Sequence, residues 1–222
     1  MLIMLVMYYV IAFIFLMLTC YRENLKRYHV VSKCLCSLGF LLVAVLGKIK
    51  SPDSLLFWRL FLALFLCFLG DYFLAKQEKV ESERLFLLGL FSFLLGHCTF
   101  LFAFCYVRPW NGYTLIVPFL GVLLAIGLLR LKYMRVGTLK LPVLIYAYFV
   151  TALFVECTQV AVHGNGSVFY VIVFLGGLLF LISDEIILFL YFYKVKYGIM
   201  KFLNLFTYYS ATFLLGLSIF YS

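Results

Sequence analysis

The sequence predicts an all-α integral membrane protein, a bundle of eight transmembrane helices in a single domain over residues 1–222. Hydrophobic residues make up 67% of the chain and charged residues only 12%, about half the usual share in soluble domains. So few charges cannot cover the apolar surface of a soluble protein of this size. The composition therefore excludes a soluble enzyme, a nucleic-acid-binding protein and a disordered chain.

Eight apolar runs are each long enough to cross roughly 30 Å of hydrocarbon, which takes about 20 residues of helix. The loops between them are short, so we expect successive helices to be antiparallel neighbours. The runs cover residues 1–20, 31–48, 54–75, 85–107, 113–131, 139–162, 168–193 and 200–221.

Four of the runs have features that bear on where their helices begin or end. No basic segment precedes the first run and no small-residue cleavage site follows it, so we expect a spanning helix rather than a signal peptide. Lys33 and Ser37 dilute the apolar start of the second run. Pro118 and Pro142 lie near the ends of their helices rather than at a shared central break.

Positive charges alternate between successive loops and so predict the orientation of the chain. Fourteen of the 18 Lys and Arg residues lie at the first, third, fifth and seventh loops. The even turns hold only Lys48, Lys50, Arg59 and Arg108. We therefore expect the odd loops in the cytoplasm and both the N-terminus and the C-terminus on the non-cytoplasmic side.

Five ionisable residues fall inside the predicted spans, where a charge is costly and usually faces the bundle interior. They are Asp71, Glu156, Asp184, Glu185 and His97. An ionisable residue in such a position is a hypothesis for a functional site. Glu156, Gln159 and His163 form a polar stripe on the sixth span, which either binds substrate or lines a water-filled vestibule, and we favour the vestibule.

Asp71 and Asp184 are the two carboxylates that we expect to act together. Asp71 precedes the first basic residue of the third loop by five positions, which places it about 8 Å inside the membrane. Asp184 precedes the seventh loop's first lysine by ten positions, roughly 15 Å from the same side. The third and seventh spans run in the same direction, so the two side chains can meet if these helices pack. The alternative is that each is a lone acceptor of interhelical hydrogen bonds.

Other polar side chains lie close to the same depth. His97 is roughly 20 Å from the cytoplasmic end of its span, either as a buried structural residue or as part of a site. Tyr208 on the eighth span matches the depth of the aspartates, with Tyr209 beside it and Asn204 one turn before it. Tyrosines can instead anchor a helix at the membrane surface.

Two charged residues have alternative orientations. Glu185 follows Asp184 and points about 100° away from it around the helix, so it lines the mouth of the site or pairs with a loop lysine. Lys33 either extends outward to the membrane surface or turns inward toward the carboxylates.

The residues show no pattern of metal ligands. His29, His97 and His163 lie at three different depths, and none of the seven cysteines forms a CxxC pair. We therefore expect no metal and no cofactor.

Four short motifs follow one another along the chain: GD-x-x-L-A from Gly70, GL-x-x-F-x-x-x-H ending at His97, G-x-L-F-x-x-SD ending at Asp184, and YY-x-A from Tyr208. In this order and spacing they resemble the YhhN-like lysoplasmalogenase family, from about residue 30 to 220. The stretch from Tyr146 to Tyr148 also resembles the sixth helix of that family.

The chain departs from the family pattern at three places. Ser32, Lys33 and Cys34 stand where the family usually has Thr-Lys-Pro, and Thr212 stands in place of a glutamine. Phe100 stands where an aromatic residue with a hydroxyl often follows the family histidine. Both aspartates and the histidine of the motifs are intact.

The resemblance implies an integral membrane ether hydrolase. It would cleave the vinyl ether bond of a lysoplasmalogen, giving a fatty aldehyde and a glycerophospho-ethanolamine or -choline. Its partner would be this lysophospholipid in the membrane, with no nucleic acid, and a homodimer is left open.

Two carboxyl groups can supply the acid and the anion that hydrolysis of a vinyl ether bond requires. Hydrolysis begins with proton transfer to the β-carbon, and water captures the resulting oxocarbenium ion. The reaction therefore needs one protonated acid and one nearby anion, which two carboxylates in a low-dielectric site supply. We expect Asp71 and Asp184 to be this pair, with their roles unassigned. His97 and Tyr208 would position water or substrate, and Lys33 would meet the phosphate.

Two other functions are compatible with the same residues. A non-catalytic lipid-binding or proton-coupled transport protein also places paired acids in the membrane, and a hydrolase of another lipid bond would use similar groups. The short loops favour a bacterial inner membrane over an endoplasmic reticulum membrane.

Overall fold

The predicted membrane fold is confirmed by a computed structural model, which describes residues 2–50, 54–164, 166–194 and 198–222. Helices account for 90% of it. Within these ranges there are eight helical stretches long and apolar enough to cross a membrane. Met1, part of the predicted first span, and Lys196, one of the basic residues counted in the seventh loop, lie outside the described residues. The sidedness of the termini and the single domain stay predictions.

The helices begin and end close to the predicted spans. They are α1 (Leu2–Tyr21), α2 (His29–Lys50), α3 (Ser54–Val80), α4 (Glu83–Val107), α5 (Gly112–Ile116), α6 (Pro118–Leu129), α7 (Lys140–Val162), α8 (Val168–Phe192) and α9 (Gly198–Ser218). Short 3-10 turns cover Glu23–Tyr28, Gly137–Leu139 and Ile219–Tyr221.

The third span continues five residues beyond its predicted end. The apolar run stops at Ala75, but the following Lys, Gln and Glu residues are good helix formers and extend α3 to Val80. Glu81 then takes a φ of 52°, the left-handed conformation that commonly ends a helix.

The fifth span consists of two helices rather than the single one predicted. Asn111 caps α5, because its Oδ1 accepts hydrogen bonds from the backbone N–H groups of Tyr113 and Thr114 at 3.0 and 3.3 Å. The interruption falls at Val117, and Pro118 then opens α6, where its missing N–H costs no hydrogen bond.

The chain divides into two compact units, Met1–Phe100 with Leu215–Ser222, and Leu101–Leu214. In the first unit α2 packs against both α1 and α3. Close approach of α3 to α4 in the same unit is possible because Gly70 lies against Phe93, so that a Cβ at Gly70 would be 2.6 Å from the Phe93 ring.

In the second unit α7 packs against both α6 and α8. Glycines permit the close approach on each side of α7. A Cβ at Gly121 of α6 would lie 2.0 Å from Thr151 Oγ1, and one at Gly177 of α8 would lie 2.7 Å from the Cβ of Cys157. The two contacts fix α7 between its neighbours, and α7 and α8 carry the polar residues of this unit's site.

Candidate functional site

Asp71 on α3 lies in a buried charged cluster of the first unit. Lys33 Nζ on α2 is 3.7 Å from Asp71 Oδ1, and the Ser37 hydroxyl donates a hydrogen bond to Oδ2 at 2.6 Å. Only 2% of Asp71 and 6% of Lys33 is exposed. Of the two orientations expected for Lys33, the structure therefore shows the inward one.

The helical repeat of α2 brings both partners to Asp71. Lys33 and Ser37 are four residues apart, so their side chains lie on one face of the helix. The ammonium group and the hydroxyl both stabilise Asp71 as a carboxylate, because one carries positive charge and the other donates a hydrogen bond. This arrangement offsets the cost of burying the charged groups.

A second polar group of the first unit joins α1, α2 and α3. His29 Nε2 is 3.4 Å from Glu78 Oε2, and His29 Nδ1 is 3.2 Å from the hydroxyl oxygen of Thr19. The Thr19 hydroxyl is also 2.8 Å from that of Ser32. None of these four residues is among the predicted site residues.

Helical spacing contained a signal for these residues. His29, Lys33 and Ser37 recur at four-residue steps along α2, and Glu78 follows Asp71 by seven residues on α3. Such steps keep side chains on one helix face. The two stripes therefore predict polar contact between α2 and α3, although they do not say which residues pair.

His97 on α4 is fully buried in the first unit. Its Nδ1 lies 2.7 Å from the carbonyl oxygen of Phe93. Since a carbonyl only accepts, Nδ1 carries the hydrogen and donates it. The ring is thus held in one orientation by its own helix.

Asp184 on α8 lies in the second unit and is 9% exposed. The hydroxyl of Tyr146 on α7 donates a hydrogen bond to Asp184 Oδ2 at 3.3 Å. In the sequence, Tyr146 is indicated only by the family resemblance. A tyrosine in an apolar span is common, so its partner could not be predicted from its own position.

Asp184 and Glu185 line a partly open groove between α6, α7 and α8. Its remaining lining residues are Ala125, Val143, Tyr146, Ala147, Val150 and Leu188. The groove is therefore mostly aliphatic, with two carboxyl groups and a phenol in its wall. Glu185 lies in this wall, which agrees with the first of its two expected positions, at the mouth of the site.

Residues of α9 hold α8 next to Asp184. The Asn204 side-chain amide donates hydrogen bonds to the Ser183 carbonyl at 2.8 Å and to the Ser183 hydroxyl at 3.0 Å. The Tyr208 ring packs edge-on against Phe180, with ring centroids 5.6 Å apart. Tyr209 is 1% exposed and packs beside Tyr208. Asn204 and Tyr208 therefore support the helix that carries Asp184.

The polar stripe of the sixth span differs from the expected vestibule. Glu156 is fully buried and accepts a hydrogen bond from the Thr114 hydroxyl at 2.7 Å. Only the outer part of the stripe approaches the surface, where Arg108 donates a hydrogen bond to Gln159 at 3.0 Å and lies 3.4 Å from His163 Nε2. Glu156 is therefore bonded to α5 instead of lining an open vestibule.

The predicted site residues fall into two groups. The first unit holds Lys33, Asp71 and His97, and the second holds Asp184, Glu185, Asn204, Tyr208 and Tyr209. Each unit provides its own aspartate with a hydroxyl donor. The pairing of Asp71 with Asp184 stays a prediction, based on their depths in the sequence. Among the described residues, no group of three or more His, Cys, Asp or Glu side chains could hold a metal ion.

Comparison with known families adds one finding to this geometry. The model of the YhhN family matches residues 28–219, a range that includes both aspartates and His97. Searches of the curated proteins and of the solved structures return no significant match.

Proposed function

The chain belongs to the YhhN family, which is the lysoplasmalogenase family, and on this premise we propose that it hydrolyses the vinyl ether bond of lysoplasmalogens in the membrane. One observation carries the proposal. Each unit buries one aspartate of the family pattern in a spanning helix and gives it a hydroxyl donor, Ser37 for Asp71 and Tyr146 for Asp184. Carboxyl groups at such depth are costly and are typical of functional sites.

The surroundings of Asp71 favour one assignment of roles. Because the Lys33 ammonium stabilises Asp71 as an anion, Asp71 is suited to stabilise a developing positive charge. The initial proton is therefore assigned to Asp184. This assignment requires both carboxyl groups to reach one substrate, as their depths in the sequence predict.

The reaction then proceeds in balanced steps. Asp184 gives its proton to the β-carbon, whose double-bond electrons form the new C–H bond, and the α-carbon becomes an oxocarbenium ion. Water adds to this carbon while Asp71 takes its proton, which gives a hemiacetal. The hemiacetal C–O bond breaks as Asp71 returns its proton to the glycerol oxygen and Asp184 accepts the hydroxyl proton. The products are a fatty aldehyde and a glycerophospho-alcohol.

The other residues have supporting roles in this proposal. Lys33 acts on Asp71 rather than on the substrate phosphate, because its ammonium is buried and faces the carboxylate. Asn204 and Tyr208 position α8, and the His97 ring is held in one orientation by the Phe93 carbonyl. The protein is further proposed to lie in a bacterial inner membrane, since its loops are short.

The test is aldehyde release by purified protein in detergent, without a membrane or an ion gradient. Three lysophospholipids that differ only in the chain linkage serve as substrates: alkenyl ether, alkyl ether and acyl ester. The proposal predicts aldehyde from the alkenyl compound and no product from the other two. Fatty acid from the acyl compound would indicate a hydrolase of another bond. Failure with all three, together with gradient-driven lipid flux in vesicles, would indicate a transporter.

A further inference from the structure

We propose that the groove beside Asp184 binds the first part of the substrate's alkenyl chain, and that Ala147 and Val150 determine which chains fit. This inference rests on the proposed function. It identifies the part of the substrate that the second unit holds, and it makes the width of the groove a determinant of specificity.

The composition of the groove matches a hydrocarbon chain. Five of its lining side chains are aliphatic: Ala125, Val143, Ala147, Val150 and Leu188. Val143, Ala147 and Val150 follow one another at four- and three-residue steps, so they form one stripe along α7. A chain lying along this stripe would exchange lipid contacts for contacts with the protein.

The polar groups of the wall show where the reacting bond would lie. Tyr146 directly precedes Ala147 on α7, and its hydroxyl is bonded to Asp184. A vinyl ether whose β-carbon meets the Asp184 carboxyl therefore has its next carbons beside Ala147. From there the chain can extend along the groove in only two directions, toward Val143 or toward Val150.

The distribution of charge favours the direction toward Val150. Val143 lies three residues from Lys140, which begins α7 and belongs to the strongly basic fifth loop. A phosphate is attracted to basic residues at this end. Val150 lies ten residues from Lys140, about 15 Å further along the helix. The headgroup therefore lies at the Val143 end and the hydrocarbon extends past Ala147 to Val150.

The groove ends where α6 and α7 touch. Thr151 follows Val150 directly and closes against Gly121, at which a Cβ would be only 2.0 Å from the Thr151 oxygen. Thr151 is five residues from Tyr146, so the space beyond the reacting bond is about 8 Å long. This length takes the first few carbons of a straight chain, and the rest of the chain turns out into the lipid.

The side chain at Ala147 is small, and a larger one would fill this space. Ala147 is half-buried, so a leucine there can be accommodated by the fold while it occupies the groove. The substitution Ala147→Leu should therefore exclude the chain. Val150 is 4% exposed, and Val150→Ala should widen the groove at its inner end.

The test compares two substrates with the same headgroup. One carries a prop-1-enyl group, which extends only one carbon beyond the reacting double bond, and the other carries a hexadec-1-enyl chain. For Ala147→Leu the ratio of kcat/KM for the long substrate over the short one should fall about tenfold relative to the wild type, the effect expected of a blocked hydrophobic pocket. Ala161→Leu, on the same helix but outside the groove, is the matched control and should leave the ratio unchanged.

A second variant tests the opposite direction. Val150→Ala should raise kcat/KM for an alkenyl chain with a methyl branch a few carbons from the vinyl ether, relative to the straight chain, by about tenfold. The inference is wrong if Ala147→Leu leaves the long-to-short ratio unchanged, or if Val150→Ala does not alter the preference for the branched chain. If the wild type releases aldehyde from neither substrate, both the proposed function and the proposed binding of the alkenyl chain in the groove are wrong.

Discussion

The ion pair between Lys33 and Asp71 joins two groups of the first unit that are both almost fully buried. Replacing Lys33 by Met should leave the Asp71 charge uncompensated. We expect a loss of about 3–5 kcal/mol in the free energy of unfolding, the usual cost of breaking a buried pair, together with loss of aldehyde release.

A double variant separates stability from activity at this pair. Lys33→Met combined with Asp71→Asn removes both charges, so much of the lost stability should return while activity stays absent. Chemical unfolding in detergent and the aldehyde assay measure the two properties. A single Lys33→Met variant as stable and active as the wild type would mean that the pair has neither role.

Tyr146 is expected to position the Asp184 carboxyl through its hydroxyl. Tyr146→Phe keeps the ring and removes one hydrogen bond to an acidic group, so the fold should persist while aldehyde release falls about tenfold or more. The matched control is Tyr148→Phe, since the Tyr148 hydroxyl bonds the backbone carbonyl of Leu115 and not the carboxyl groups. Equal activity of the two variants would exclude Tyr146 from the site.

The aspartates could be predicted from the sequence, whereas their partners could not. Asp71 and Asp184 are conspicuous because acids are rare within apolar runs. Ser37 and Tyr146 belong to residue types that occur throughout such runs, and their hydrogen bonds depend on which helices pack together. The orientation of Lys33 was undecided for the same reason, because it depends on the position of α3.

Contacts between helices are closest where glycines face a neighbouring helix. Gly177→Ala would place a Cβ 2.7 Å from the Cβ of Cys157, a contact that no side-chain rotation relieves. We expect a loss of about 1–3 kcal/mol, as for overpacked cores. Gly127→Ala is the control, since nothing lies within 4 Å of its Cβ position. In detergent, the midpoint temperature of thermal unfolding should be lower for Gly177→Ala than for the wild type and unchanged for Gly127→Ala. Equal midpoints for the two variants would refute close packing of α7 on α8.

The spans were predictable because hydrophobicity and length alone define them. The end of α3 was missed because the lipid boundary ends the apolar run but not the helix, which polar helix formers continue to Val80. The break in the fifth span was missed because Pro118 was placed near the end of a helix, whereas a short capped helix precedes it.

The orientation of the chain follows from its charge distribution and can be tested directly. The alternation of basic loops predicts a C-terminus on the non-cytoplasmic side. A C-terminal alkaline phosphatase fusion should therefore be active in bacterial cells, and a green fluorescent protein fusion at the same position should be dark. A fluorescent fusion with inactive phosphatase would reverse the predicted topology.

The central claim is that Asp71 and Asp184, one from each unit, together carry out hydrolysis of the vinyl ether. Its most direct test is aldehyde release from an alkenyl lysophospholipid by the purified Asp71→Asn and Asp184→Asn proteins. The control is Glu83→Gln, which changes an exposed acid at the start of α4. We expect each Asp variant to remain folded and to lose aldehyde release by about a hundredfold or more, as expected when a general acid or base is removed, while the control keeps wild-type activity. Full activity in both Asp variants would contradict the mechanism.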